Sequence, residues 1–253
     1  MFVRPKKSLG QHFLNDHNIA RKIVDGILGN PELVMEIGPG TGVLTRYFAE
    51  KKFNFKVVEI DKESVAYLKS NLQISDDKII EGDFLQLDLE KLFPLQYAII
   101  GNFPYNISSQ IFFKVLENRQ YVTQVVCMIQ KEVAERLAAT PGSKTYGILS
   151  VLLQAFYEIK YLFTVNENVF VPPPKVKSAV IRLTRNSTLQ LDCNETLFFK
   201  IVKAAFNQRR KTLRNSLRGF YKPEILDLEI FNLRPERLDV QGFVELTKMA
   251  NTK

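Results

Sequence analysis

The chain is poor in the residues from which metal sites and disulfide frameworks are built. Its 253 residues include two cysteines and two histidines, too few for the usual structural zinc sets, so no metal is expected. Cys127 sits inside the apolar run Val125-Val126-Cys127-Met128-Ile129 and reads as inert core. Cys127 and Cys193 together fit a reducing compartment. Long hydrophobic runs are missing too. None approaches the roughly 20 apolar residues of a membrane helix, which excludes a helical span. Behind its charges, Met1-Phe2-Val3-Arg4-Pro5-Lys6-Lys7 has no apolar signal-peptide core. A cytoplasmic protein without membrane association is the expectation. There is no internal repeat and no low-complexity tract. Finally, acidic residues are absent from Lys200 to Arg218, a stretch that carries Lys200, Lys203, Arg209, Arg210, Lys211, Arg214 and Arg218.

What is present is ordinary for a soluble globular chain: 45% hydrophobic and 25% charged residues. That length buries a large core, as one domain or as one plus a smaller one. The formal charge of +8 is concentrated in two places. One is the acid-free stretch, the other Arg4, Lys6 and Lys7. Separated basic patches suggest a polyanion such as nucleic acid. A solvated helix face is the other reading of such a run.

Short apolar runs alternate with helical periodicity over the first two thirds of the chain. Strands are predicted at 33–37, 55–60, 78–81, 97–100 and 122–129. Helices are predicted from Asp16 to about Leu28, through Val43, Leu44, Tyr47 and Phe48, from Lys62 to Leu72, and after Ser108. The pattern predicts an α/β fold with a parallel sheet covered on both faces. Further strands are expected at 156–163 and 177–183, with Phe170-Val171-Pro172-Pro173-Pro174-Lys175 a stiff extended link between them. Composition shifts near Asn186 to Asn194, giving domains 1–187, with a basic arm 1–14, and 188–253. The second reads as short helices, including 195–207 and 209–220. If those two run on unbroken, Lys203, Arg210 and Arg214 share one flank. Arg209 falls nearer the apolar side, either for RNA or as a packed, carboxylate-paired residue.

Asn102-Phe103-Pro104-Tyr105 stands where a strand must stop, because proline cannot continue a ladder. Helix-start residues follow. This is the carboxyl edge of a sheet, where open α/β folds bind ligands. The Asn102 side-chain oxygen and a carbonyl near Pro104 can accept from an exocyclic amine. Tyr105 offers a flat face to a base. A capped strand–turn–helix junction with a packed tyrosine is the alternative. Upstream, Glu36-x-Gly38-x-Gly40-x-Gly42 follows a strand, and its spacing departs from the dinucleotide fingerprint. Glu59 ends the next strand, where ribose hydroxyls are usually gripped. Asp83 ends the third, placed to accept from an adenine amine. Gly38 would lie against the amino-acid end of such a ligand. Together these describe S-adenosylmethionine. Each residue also has a structural reading: Glu36 orienting the glycine loop, Glu59 or Asp61 capping a helix, Asp83 in a turn.

With these stretches in view, the chain resembles the ribosomal RNA adenine N6,N6-dimethyltransferases (the KsgA/RsmA group). The resemblance runs over nearly the whole chain. It is carried by 7–14 (Lys-Ser-Leu-Gly-Gln-His-Phe-Leu), 36–42, Glu59-Ile60-Asp61, Gly82-Asp83, 101–108, 171–176 and Phe206-Asn207-Gln208-Arg209-Arg210-Lys211. It implies a Rossmann-like class I methyltransferase fold, with a mostly parallel seven-stranded sheet and a small helical C-terminal domain. It implies a cofactor shell of His12, Leu14, Gly38, Gly40, Glu59, Asp83 and Asn102. Asn102, Pro104 and Tyr105 would form the catalytic motif, with Phe170 covering the second face of the base. The implied reaction is S-adenosylmethionine-dependent dimethylation of two adjacent adenosines in 16S rRNA, within the 30S subunit or its precursor, by a monomer. Arg4, Lys6, Lys7, Lys203, Arg210, Lys211 and Arg214 are the candidate RNA contacts. Two positions depart from the family pattern: many relatives carry Asn where His12 stands, and Leu or Ile where Phe103 stands. A macrolide-resistance methyltransferase of the large subunit and a non-catalytic RNA-binding assembly factor are the alternative functions. A nicotinamide dehydrogenase is disfavoured by the glycine spacing.

Overall fold

The computed structural model describes residues 3–250; Met1 and Phe2 of the N-terminal stretch, like residues 251–253, lie outside the described residues. In chain order the first elements are β1 (Phe13–Leu14), α1 (His17–Val24), β2 (Val34–Ile37), β3 (Phe55–Glu59), α2 (Lys62–Asn71) and β4 (Ile79–Glu81). Then come α3 (Leu89–Leu92), β5 (Tyr97–Asn102), α4 (Ser108–Glu117), β6 (Val122–Gln130), α5 (Lys131–Leu137) and α6 (Ile148–Gln154). β7 (Tyr157–Val165), β8 (Phe170–Val171) and β9 (Ser178–Arg185) complete the strands, and α7 (Glu195–Asn207), α8 (Leu213–Ser216), α9 (Pro223–Leu226) and α10 (Val240–Met249) follow.

Among the described residues, seven strands form one sheet in the order β4-β3-β2-β5-β6-β9-β7. β4, β3, β2, β5 and β6 pair in parallel, and β9 joins β6 antiparallel. This is the mostly parallel sheet that the alternation predicts, with the seven strands that the resemblance implies. The central strands are apolar because both faces are covered: Val34, Met35, Ile99 and Ile100 are fully buried. From β2 the chain winds outward through β3 to β4, then returns to lay β5 on the other side of β2. That reversal opens a crevice at the carboxyl ends of β2 and β5. A separate two-stranded ladder pairs Phe13 with Val171 and Leu14 with Phe170.

The chain divides into two compact units, 1–134 with 159–185, and 135–158 with 186–253. The sheet belongs essentially to the first. In the second, α7 buries Phe198, Ile201, Val202 and Ala205, and Phe206 packs against Phe243 at 5.9 Å between ring centroids.

Two expectations are corrected. The segment after the glycine turn is no regular helix: only Thr45–Tyr47 forms a 3-10 turn. The Thr45 hydroxyl is drawn inward to donate to the buried Glu36 carboxyl at 2.5 Å. Lys52, with φ 56, then ends the turn series. Nor is 209–220 one helix: only Leu213–Ser216 is helical, with a 3-10 turn at Arg218–Phe220, and the unbroken run from 195–207 does not form. Gln208 leaves helical geometry (φ −119, ψ 52), and α8 restarts at Leu213. The turn lets Leu213 bury completely and donate its N–H to the Leu233 carbonyl. The shared flank of Lys203, Arg210 and Arg214 is therefore absent.

Glu36 is the buried charge problem of this fold. It is 1% exposed, and burial first, then the neighbouring Glu59, raise its pKa from 4.5 to about 8, against the Thr45 hydrogen bond. The native state thus keeps a proton that the unfolded chain sheds near pH 4.5. Between those values the native state binds more protons, so stability falls as pH rises, by at most about 1.4 kcal/mol per pH unit. Glu36→Gln removes the titration. Urea denaturation is expected to show the wild type losing stability from pH 5 to pH 8 more steeply than Glu36→Gln; parallel profiles would contradict the assignment.

Candidate functional site

The crevice at the β2 and β5 ends is a cavity walled by five stretches of the first unit. The arm supplies Ser8 to Phe13, the glycine turn Gly38 and Gly40, the β3 and β4 ends Glu59, Asp83 and Phe84, and the β5 end Asn102 to Ile107. Of the residues singled out from sequence, His12, Gly38, Gly40, Glu59, Asp83, Asn102, Pro104 and Tyr105 line this one cavity. Leu14 and Phe170 do not. Both are buried where β1 pairs with β8, in a cluster with Ile100 and Met128. Phe13, its ring next to Gly40, lines the cavity in Leu14's stead.

The glycine turn is shaped for close approach. Gly38 has φ 63, and a β-carbon there would meet nothing within 4 Å, so its surface faces open space. Gly40 has φ 55, and a β-carbon there would lie 2.7 Å from the Phe13 ring. Only glycine satisfies both the left-handed backbone and the close neighbour.

Glu59 is 3% exposed, and its carboxylate is held by backbone: Gly40 N–H donates to Oε2 and Asp61 N–H to Oε1, each at 2.9 Å. Burial raises its pKa, and these donors work against the rise. Helix capping falls to Asp61 alone, which accepts from Glu63 N–H at the start of α2. Asp61 is buried as well. Burial works against its charge, but Lys6, Gln11 and the Glu63 N–H outweigh it and hold its pKa low. Lys6 Nζ stands 2.5 Å from Asp61 Oδ1 and 3.2 Å from Glu63. Lys6, a candidate RNA contact, is thus engaged in tying the arm down over the cavity. Gln11 adds a bond to Asp61 Oδ2 at 3.4 Å and accepts from the Lys6 N–H at 2.8 Å.

At the other end of the cavity, Asn102 Nδ2 donates to the His12 carbonyl at 2.8 Å. A carbonyl can only accept, so the amide orientation is fixed with nitrogen toward the arm. Oδ1 is left as the acceptor that Asn102 brings to the cavity. The α4 start lacks a side-chain cap, so Asn102 is no cap residue. The His12 ring donates from Nδ1 to the Pro172 carbonyl at 2.7 Å and stacks on Tyr105 at 5.6 Å, 26° between planes. Tyr105 is also held at its hydroxyl, 2.6 Å from the fully buried Ser178 Oγ. The Pro104 carbonyl accepts from Ile107 N–H at 3.2 Å. Gly82 N–H donates to the Glu59 carbonyl, and Asp83 Oδ1 accepts from Leu85 N–H, both at 2.9 Å, which fixes the Asp83 turn.

Gln11, Phe13 and Ser178 were not singled out from sequence. Gln11 and Phe13 lie in the quoted arm stretch, so the signal was present. Ser178 carried none beyond opening a strand. Of the basic candidates, Arg4, Lys7, Lys203, Arg210 and Lys211 are exposed. Arg214 pairs with Asp227 at 3.0 Å. Arg209 donates to the Lys144 carbonyl rather than to a carboxylate.

The model of the family described as ribosomal RNA adenine dimethylase matches residues 3–241. A ribosomal RNA small subunit methyltransferase A from Phocaeicola vulgatus is 59% identical over 97% of this chain and 89% of its own length. The protein of the same name from Cytophaga hutchinsonii is 58% identical over 99% of each chain. Among solved structures, a dimethyladenosine transferase from Plasmodium falciparum superposes with a TM-score of 0.77 at 25% identity, covering 94% of this chain and 99% of that one. The 23S rRNA methyltransferase ErmE gives 0.69 at 25% identity, covering 93% and 99%. With a family match over nearly its whole length and relatives well above half identical, this chain belongs to the ribosomal RNA adenine dimethylase family.

Proposed function

We propose that the protein dimethylates the N6 amines of two adjacent adenosines in the 3′-terminal hairpin of 16S rRNA, using S-adenosylmethionine, on the 30S subunit or its precursor. The observation that carries this reading is that Asn102, oriented by the arm, shares one cavity with Gly38, Glu59 and Asp83. The cofactor fits these residues. The open surface at Gly38 accommodates its amino-acid end. The fixed Glu59 carboxylate suits a ribose diol, and Asp83 an adenine amine. When bound, it supplies a methyl group activated by its sulfonium.

The chain's own part is alignment. An adenine amine is a poor nucleophile, because its lone pair is delocalised into the ring. Accepting hydrogen bonds at Asn102 Oδ1 and a carbonyl of the Phe103–Pro104 segment would localise that pair and aim it. Such positioning accounts for much of the rate when the reacting atoms are held ~3–3.5 Å apart and in line. Tyr105, clamped by Ser178 and His12, is a rigid platform for a base. The base must be unpaired or flipped to enter. Phe170 is buried in the core, so a role over the second face would require it to emerge.

Small-subunit specificity rests on relatives at 58–59% identity that are named for it, against 25% for the 23S enzyme. The exposed cations Arg4, Lys7, Lys203, Arg210 and Lys211 suit an RNA backbone, with Lys6 and Arg214 turned partly to internal pairs. No helix among the described residues is long and apolar enough to cross a membrane. We place the protein in the cytoplasm, as a monomer.

The direct test incubates purified protein with under-methylated 30S subunits and labelled S-adenosylmethionine, then maps the product. Label on adjacent adenosines of 16S rRNA is expected; label absent from rRNA adenines would reject the proposal. Asn102→Ala should cost at least ~10²–10³-fold in transfer with the fold retained, and near-wild-type activity would contradict its role. Tyr105→Phe keeps the ring but strands the buried Ser178 hydroxyl. Chemical denaturation should show a loss of about 1–3 kcal/mol, with most of the transfer activity kept.

A further inference from the structure

One cation that lines no part of the cavity is bonded to its wall. Lys114 lies on α4, the helix that follows the Asn102–Ile107 motif. Its neighbours Ile111, Phe112, Val115 and Leu116 are buried, whereas Lys114 is half-buried on the flank. From there Nζ reaches the turn after β4, donating to the Leu85 carbonyl at 2.8 Å and the Leu87 carbonyl at 2.6 Å. It also stands 5.9 Å from the centroid of the Phe84 ring. Phe84 and Leu85 line the cavity beside Asp83.

That turn is too short to satisfy its own carbonyls. Within it the Asp83 carbonyl accepts from Gln86 N–H and the Phe84 carbonyl from Leu87 N–H. The Leu85 and Leu87 carbonyls go to Lys114. The Leu85 N–H is spent on Asp83 Oδ1. Leu85 therefore stands between two restraints, with its N–H orienting the Asp83 carboxylate and its carbonyl gripped by an ammonium. A charged donor on two carbonyls holds a short turn more firmly than neutral bonds would.

We infer that Lys114 is a positioning residue for cofactor recognition, fixing the Leu85 turn so that Asp83 presents its carboxylate to the 6-amino group of the cofactor's adenine. This rests on the proposed role of Asp83. Through Lys114, the helix behind the catalytic motif and the turn that reads the base are bonded directly. The same residue then links adenine selectivity to the strand end that carries Asn102.

The test measures binding, not turnover. Calorimetry compares S-adenosylhomocysteine with S-inosylhomocysteine, in which an oxo group replaces the amine, on the full-length protein. Wild type is expected to prefer the adenosyl ligand at least tenfold. In Lys114→Met the adenosyl affinity should fall about tenfold while the inosyl affinity changes little, so that the preference collapses. Lys114→Arg, whose fork can reach both carbonyls, should restore most of it. Lys114→Gln, neutral and one bond shorter, should also lower the ratio and serves if the Met variant does not fold. A purely structural role would lower both affinities alike and leave the ratio intact. Wild type that discriminates, with the Lys114 variants discriminating equally, overturns this inference alone. Wild type that binds both ligands equally overturns the Asp83 reading, and this inference with it.

Discussion

A single hydrogen bond decides which end of the Asn102 amide faces this cavity: Asn102 Nδ2 to the His12 carbonyl. An amide side chain carries a donor end and an acceptor end, and only the acceptor is useful to an amine that must be made nucleophilic. Because a carbonyl cannot donate, the arm dictates which end turns inward. The arm must itself be fixed, and the means are spread across the cavity. Lys6 and Gln11 bind Asp61 near the β3 end, and Phe13 and Leu14 pair with β8. The His12 ring meets Tyr105 and Pro172. Both ends of the cavity are therefore stitched to one strap.

Three carboxyls crowd the same edge, and each is accommodated differently. Glu36, wholly buried, stays protonated to about pH 8 and accepts from Thr45. Glu59 receives backbone N–H donors from the glycine turn and from Asp61, so burial raises its pKa without stranding the group. Asp61 takes a lysine. Burying a lone carboxylate would be costly, and these separate solutions let the edge hold polar groups without mutual repulsion dominating.

The centre of the sheet was legible because β2, β5 and β6 are buried almost throughout and announce themselves as continuous apolar runs. At the strand ends the sequence singled out Gly38, Glu59, Asp83 and Asn102, and all four line one cavity. Two kinds of feature escaped. Tertiary demands overrode local pattern after Gly42, where Thr45 serves Glu36 instead of a helix, and at Gln208, where the chain turns to bury Leu213. Long-range partners left no trace in the sequence. Nothing in the sequence marks Lys114, and the resemblance alone points to Leu14 and Phe170 as pocket residues, until the packing of α4 and the pairing of β1 with β8 are known.

The most direct test of the arm-fixed amide is NMR of selectively labelled protein, reading the through-bond scalar coupling between Asn102 Nδ2 and the His12 carbonyl carbon together with exchange of the Asn102 side-chain protons. A resolvable coupling is expected, with exchange slowed at least ~10-fold relative to an exposed asparagine. Absence of the coupling, with exchange as fast as in a surface amide, would mean that the amide is free to flip and would contradict the account.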